Sequence, residues 1–585
     1  MNWRQLQREL ACRIECGRAA LASHTPGYTN PERQSLNTKE MGRFALKVPA
    51  KKPSNRVSHI QFTKEPTSRP SAMEVPSPSP SSTSDYVRVV LTPKVTTTAP
   101  PVPDVHAPVQ PRWLLYTNVL VSLLQPLQYG WSTTQLNLTT FNDEEDCNAR
   151  PVASGTCLMF PGHTKAQWTI AVSAWIVGGM IGALVCGRLS NTFGRKRIMM
   201  TNCMFMIVGA VVQACASTVW MFIGGRMVSG IASGGATAVI PGFISEISPP
   251  SLRNSLGVGF QIAITVGNLL VAITFFFADT SSGWHYIAGF PIVLALLFLA
   301  LAPFIIVESP AWLMMVGQHQ LAERELARLY GKENVYLAKT WLKQDHPAPR
   351  IASGSEYALP FPPPTVSEEP KPRNFAKLFS PMLIRQLLTA IGVAGAQQLT
   401  GINAVFFYSS SLFKQAGIAD DRIGIVAVNF VNVLPTMFCG MLATRFGNRK
   451  LILYGLAGMF FSAVGITVSL VASLPALAIV FTACYVTTFG SSLGSLAWVV
   501  MADLFPDDVR AMGNSVCVGC SWLSNLAVGL GYPYIAAALV NFSFTPFMCT
   551  VALSFLFVYT VVPDTSGKTM QEIQDEFNAR RLVRN

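Results

Sequence analysis

The chain predicts an all-α membrane protein of twelve helices, arranged as two six-helix halves joined by a cytoplasmic loop. Three observations predict it. Of 585 residues, 50% are hydrophobic and only 13% are charged. Apolar runs recur from about Trp113 to Val562, and a helix needs about 20 such residues to cross the hydrocarbon. The second half of the chain also repeats charged and glycine-bearing elements of the first.

The predicted spans lie near 113–134, 167–190, 199–217, 221–244, 257–277, 284–307, 383–412, 423–444, 451–471, 475–500, 513–540 and 542–562. They divide the chain into a tail over 1–112, a first half over 113–307 and a loop with short helices over 308–382. A second half over 383–562 and a C-terminal tail over 563–585 complete it. The first tail has no span and no apolar core of a secretory signal. From Lys51 to Pro111 it is rich in Pro, Ser, Thr and Val, a composition that predicts disorder. Residues 3–22 have the pattern of a short basic helix. Regulation, partner docking and a dispensable tail are all compatible with that segment. In the loop, Leu321, Leu326 and Leu329 follow a helical pattern before the Pro-rich stretch Phe361-Pro362-Pro363-Pro364.

The formal net charge of +13 is not a nucleic-acid signal, because the basic residues crowd alternate connections. Arg195-Lys196-Arg197, Arg253, Arg445, Arg449-Lys450, Arg510 and Arg580-Arg581 mark one face, together with both tails and the central loop. The opposite face opens with the acidic run Asp143-Glu144-Glu145-Asp146. The positive-inside rule then places both termini in the cytoplasm. Cys147 and Cys157 share the first outer loop, where they pair in an oxidising space and stay thiols in a reducing one. Asn137-Leu138-Thr139 is a glycosylation sequon close to the end of the first span.

The internal repeat is the most informative long-range feature. Phe193-Gly194-Arg195-Lys196 recurs as Phe446-Gly447-Asn448-Arg449, and the spacing from Glu246 to Arg253 recurs from Asp503 to Arg510. Two six-span halves in a parallel repeat are the architecture of the major facilitator superfamily. Arg195, Arg226, Glu246, Arg253, Glu308, Arg445, Arg449, Asp503 and Arg510 have two readings. They are substrate or proton groups, or they are ion pairs that latch the halves at the inner face. Their place at span ends favours the latch.

The most unusual span contains Gln397-Gln398-Leu399-Thr400-Gly401-Ile402-Asn403-Ala404-Val405-Phe406-Phe407-Tyr408. An unpaired amide taken out of water costs roughly 2–7 kcal/mol, so three in one span need partners. A regular helix leaves Gln397 and Asn403 roughly 120° out of phase. Gly401 tolerates a local break that brings them together, as broken helices do in transporter binding sites. The alternative is polar glue between helices.

These residues resemble the sugar porter family of the major facilitator superfamily, with the facilitative glucose transporters most similar. Gln397-Gln398-Leu399, Gly401-Ile402-Asn403-Ala404-Val405-Phe406 and Tyr408 carry the resemblance. Gly225-Arg226, Glu246 with Arg253, Glu308-Ser309-Pro310, and Pro563-Asp564-Thr565 with Gly567-Lys568-Thr569 add to it. The resemblance implies that Gln261, Gln397, Gln398, Asn403 and Asn432 bind sugar hydroxyls. It also implies that Trp498, Trp522 and Asn525 line the cavity, with Tyr129, Trp131, Phe407 and Tyr408 as cavity or gate aromatics. Amides suit a neutral polyol because each both donates and accepts. The sequence departs from the family pattern at Gly490, Gly494-Ser495-Leu496-Ala497, Ala311 and Thr444.

The resemblance further implies that a proton-coupled relative would carry Asp after a Gly and an aromatic in the first span. Here Gly130-Trp131 is followed by Ser132. Ionisable groups are confined to span ends, and proton relays normally need one inside the membrane. The expected function is therefore facilitated diffusion of a hexose, glucose foremost, by alternating access in the plasma membrane, without cofactor or metal. A proton symporter, a carrier of another polyol or small organic solute, and a non-transporting sensor are the competing readings. The chain has no paired catalytic carboxylates, phosphate loop or metal cluster in sequence, so it is not expected to be an enzyme.

Overall fold

A computed structural model describes residues 110–577 except 143–145, 148, 150, 153–155, 250–251, 345–374, 382, 416–419, 506, 567, 569–571 and 574. The predicted disordered tail, the acidic run 143–145 and the Pro-rich loop lie outside those residues. Every described element is helical. The first predicted span is two helices, α1 (Trp113–Ser122) and α2 (Leu124–Thr134), divided at Leu123. Then follow α3 (Lys165–Phe193), α4 (Arg195–Ala214), α5 (Val219–Ile247), α6 (Gly259–Thr274) and α7 (Gly283–Ile305). Three short helices come next: α8 (Pro310–Met315), α9 (His319–Tyr330) and α10 (Val335–Gln344). On α9, Leu326 and Leu329 are buried while Leu321 faces out.

The seventh predicted span is also broken, into α11 (Ile384–Leu399) and α12 (Ile402–Gln415). It is followed by α13 (Asp421–Phe446), α14 (Asn448–Val471), α15 (Pro475–Gly490), α16 (Leu493–Asp503), α17 (Asp507–Leu539) and α18 (Thr545–Thr560). Among the described residues, ten helical segments are long and apolar enough to cross a membrane, with α11–α12 and α15–α16 each counted as one. The α18 helix is apolar but has only 16 residues.

Local chemistry explains the boundaries. Thr164 and Gln167 form a capping box at the start of α3, each side chain bonded to the other's backbone N–H, which satisfies two orphan donors. The repeated Phe-Gly turns end α3 and α13 in the same way. Gly194 has φ +93° and Gly447 φ +87°, a backbone region that glycine enters without steric cost. The α3 and α5 helices pack along small residues. A Cβ on Gly178 would lie 1.9 Å from the Met227 carbonyl oxygen, and one on Gly234 1.9 Å from that of Gly179. Small residues are what let two helices approach this closely.

The two most extensive packings between the halves are related to each other. The α17 helix lies against α3, and α13 lies against α6. Moving six spans along the chain turns the first pairing into the second, as a twofold repeat requires.

At the end of the bundle where α2 finishes and α3 starts, Cys147 and Cys157 form a disulfide with Cα atoms 5.1 Å apart. We call this the disulfide end, and the end carrying Gly194 and Gly447 the basic end. Closing so short a loop stabilises by about 3 kcal/mol in the chain-entropy account. Both cysteines should therefore resist alkylation in the folded protein and label only after reduction, which mass spectrometry reads directly. Asn137 is buried and its amide is consumed by hydrogen bonds, so in this conformation the sequon is closed to glycosylation.

Candidate functional site

The site is built around the break in the seventh predicted span. Gly401 has φ +86°, and a Cβ there would meet the Phe547 ring at 2.4 Å. A second departure follows at Tyr408, with φ −137° and ψ 15°. The break brings together amides that an unbroken helix would separate. Asn403 Nδ2 donates to Gln398 Oε1. Gln398 Nε2 donates to Ser521 Oγ on α17 at 2.9 Å and approaches Gln397 Oε1 at 3.4 Å. Gln397 Nε2 donates to the Gly494 carbonyl at 2.9 Å. That last bond ties the break in α11–α12 to the one between α15 and α16, where Ser492 is non-helical. The Tyr485 hydroxyl donates to the Thr400 carbonyl and fixes the turn from a third side.

Aromatic rings cover the neighbouring surface. Tyr129, Trp175 and Trp522 meet pairwise at centroid distances of 5.2–5.5 Å, and Phe407 reaches Trp175 at 6.4 Å. The Trp522 indole crosses between the halves to Thr237 Oγ1 at 3.3 Å. It fits because Gly179 has no side chain, since a Cβ there would lie 2.4 Å from its ring. Tyr408 donates to the Gly529 carbonyl at 3.0 Å. Trp498 packs on Phe260, and its Nε1 has no hydrogen-bond partner among the described residues. Asn525 is buried with Oδ1 likewise unpaired. Buried polar atoms left without partners are exceptions that call for a ligand or water.

Gln261 is buried on α6. Asn432 is buried on α13, where Thr436 Oγ1 lies 3.5 Å from its Oδ1. A Cβ on Gly490 would stand 2.4 Å from that same Oδ1, so an acidic side chain at 490 has no room without displacing Asn432. Trp131 stands apart from the ring cluster. Its indole N–H donates to the Ile287 carbonyl at 2.8 Å and its ring stacks on Phe290.

The expected latch divides into three. Arg195 forms a bidentate pair with Glu246, Nε–Oε2 at 2.8 Å and Nη2–Oε1 at 2.7 Å. Glu308 Oε1 accepts the backbone N–H groups of Arg195, Lys196 and Ser309, so its carboxylate sits at the positive N-terminus of α4. Burial pushes the Glu308 carboxyl up from its ordinary range, while those three N–H groups and the Arg195 charge pull it down. All of these groups lie in the first half or at its junction with the central loop. In the second half, Arg449 Nη2 donates to the Tyr559 carbonyl, and exposed Arg445 lies over Phe446 at 5.8 Å. Asp503 is within electrostatic reach of Arg510 in its own half and of Arg253 in the other.

Arg226 corrects the expectation. It precedes Glu246 on the continuous helix α5 by a distance of roughly 30 Å at 1.5 Å per residue, so it lies toward the disulfide end. There it is almost wholly buried. Its Nη1 donates to the Ser132 carbonyl at 2.8 Å and lies 3.5 Å from Gln135 Oε1. Its guanidinium sits 5.5 Å from the Trp175 ring. The dipeptide Gly225-Arg226 named a residue but not its depth.

Sequence reasoning missed Trp175 and Ser521, which sit inside apolar runs with nothing to mark them. It also missed a polar cluster at the disulfide end containing Asn137, Asp279 and Arg422, whose charges read as ordinary loop residues.

Comparison with known proteins decides the family. A profile described as "Sugar (and other) transporter" matches residues 117–577. The chain belongs to this sugar transporter family. The human solute carrier family 2, facilitated glucose transporter member 4, is 30% identical over 480 residues, covering 79% of this chain and 91% of that one. The Caenorhabditis elegans facilitated glucose transporter protein 1 is 32% identical over 441 residues, 72% and 82% of the two chains. Among solved structures, the major facilitator proton:xylose symporter XylE bound to 6-bromo-6-deoxy-D-glucose matches with a TM-score of 0.64 at 24% identity. That match covers 79% of this chain and 98% of XylE, and supports the fold. This sugar transporter family member thus has the fold of that major facilitator structure, with a multi-pass helical body, and is a transporter rather than an enzyme.

Proposed function

We propose that the chain moves a hexose, glucose foremost, across the plasma membrane by facilitated diffusion and alternating access. The observation that carries this reading is the convergence of Gln397, Gln398 and Asn403 at the break beside a ring-lined surface between the halves. Amides there offer donors and acceptors to hydroxyls, and flat rings suit the apolar face of a sugar. Gln261, Asn432, Trp498 and Asn525 complete the proposed set, with Tyr129, Phe407, Tyr408 and Trp522 as its aromatic wall. In this reading α1–α2 and α18 are the first and twelfth spans. The division into halves over 113–307 and 383–562 follows, with the basic end and both termini cytoplasmic. Facilitated diffusion is supported by the surroundings of Arg226. Its close partners, the Ser132 and Ala171 carbonyls, Gln135 and the Trp175 ring, are neutral, so among the described residues no carboxylate stands there to exchange a proton against occupancy.

The test is uptake of radiolabelled glucose into proteoliposomes, with and without an imposed pH gradient. We expect uptake that stops at equal concentrations and ignores the gradient. Accumulation driven by the gradient would replace diffusion with symport. Absence of uptake by folded protein would move the substrate away from glucose.

A further inference from the structure

Among the described residues, the side-chain ties that cross between the two halves are concentrated at the disulfide end. Thr139, just beyond α2, donates to Asp421 Oδ2 of α13 twice, from its backbone N–H at 3.0 Å and from Oγ1 at 2.5 Å. Asp279, between α6 and α7, accepts Thr140 Oγ1 at 2.7 Å on one oxygen and Arg422 Nη1 at 3.2 Å on the other. Arg422 is held for that contact by a bidentate pair with Asp420, at 2.9 and 3.1 Å, and by the Phe276 ring at 5.6 Å. One layer deeper, Asn137 Nδ2 donates to Ser409 Oγ at 2.8 Å while its Oδ1 accepts the Ser410 N–H at 3.0 Å.

The basic end is built differently. The bidentate Arg195–Glu246 pair lies within the first half, and the three N–H groups on Glu308 lie in that half or at its junction with the loop. Asp503 and Arg253 feel each other's charge across the halves, with no ion pair between them among the described residues. A contact biases a two-state equilibrium only by the difference between its strength in the two states. A pair internal to one moving body contributes nothing to that difference. One that must break when the disulfide ends separate contributes all of its strength. The side chains of Arg422, Asp279 and Asp420 are 30%, 20% and 34% exposed, so water can take their place when they part.

We propose that Asp279–Arg422 and Thr139–Asp421 form a clasp that sets the balance between the two alternating-access states of this transporter. The proposal rests on the alternating-access reading only for the existence of the second state. Nothing in it depends on which sugar is carried.

Pulsed electron-electron resonance on the full chain in nanodiscs tests it, with no sugar present. Spin labels go on Tyr286→Cys and Phe542→Cys, both exposed near this end, after exposed Cys215, Cys484 and Cys549 are changed to serine. The parent should give mainly the short distance. Arg422→Ala should raise the ratio of long to short distances about tenfold, and the isosteric Asp279→Asn should move it the same way should the alanine variant fail to fold. Combining Asp279→Arg with Arg422→Asp should restore the parent distribution. Unchanged distances in the single variants, or single effects that simply add in the swap, would overturn the clasp. Glucose uptake by the same parent protein is scored separately, so a failure of the sugar assignment shows there and leaves the distances interpretable.

Discussion

Gln398→Leu should raise the KM for the transported sugar by roughly 5–150-fold, the equivalent of about 1–3 kcal/mol for stranding a buried polar group. Gln398 is the hub of the amide cluster. Its oxygen accepts from Asn403, and its nitrogen reaches both Ser521 and Gln397. Leucine fills nearly the same volume and removes all three contacts. It leaves Asn403 Nδ2 free to point elsewhere, so two proposed sugar-binding groups are lost by one substitution. Gln397→Leu should act differently. It removes the bond to the Gly494 carbonyl, so the two broken spans lose a tie as well as a sugar-facing amide, and the maximum rate should change along with KM. Equilibrium binding of glucose alongside uptake separates the two cases. A Gln398→Leu protein with parental affinity, folded and inserted, would remove this residue from the proposed site.

Much of the fold was legible in the sequence because apolar length and charge alternation are read one residue at a time. The break at Gly401 was legible for a related reason. Three amides in one span are too costly to leave unpaired, and glycine marked where the helix could yield. The repeat was legible in Phe-Gly turns, whose glycines both adopt positive φ. What stayed hidden depends on depth and on partners far along the chain. Arg226 shares with the latch residues a place near a span end, yet its position along α5 puts it at the opposite end of the bundle. Trp175 meets Tyr129, Phe407 and Trp522, contacts that span from α2 to α17 and have no local signature. Arg422 and Asp279 are 143 residues apart; a single sequence gives no reason to pair them.

The charges at the basic end have an energetic role that follows from where they sit. Glu246→Ala should lower the stability of the folded protein by about 3 kcal/mol, the low end of the range for removing one partner of a buried ion pair. The low end applies because Glu246 is 24% exposed, although Arg195 is only 8% exposed. Alanine leaves the guanidinium with the Ser190 backbone carbonyl as its remaining hydrogen-bond acceptor among the described residues. Glu246→Gln keeps an acceptor and should fall between parent and alanine. The double change Arg195→Met with Glu246→Leu should recover most of the loss, since apolar replacements strand no charge. Thermal unfolding in detergent ranks the four proteins. An alanine variant that unfolds with the parent, or a double variant worse than either single, would contradict the buried-pair account. Because both residues belong to the same half, Glu246→Ala should cost stability without moving the distance distribution at the disulfide end. Arg422→Ala should do the reverse. That opposition separates a bond that holds one half together from a bond that decides which way the two halves lean.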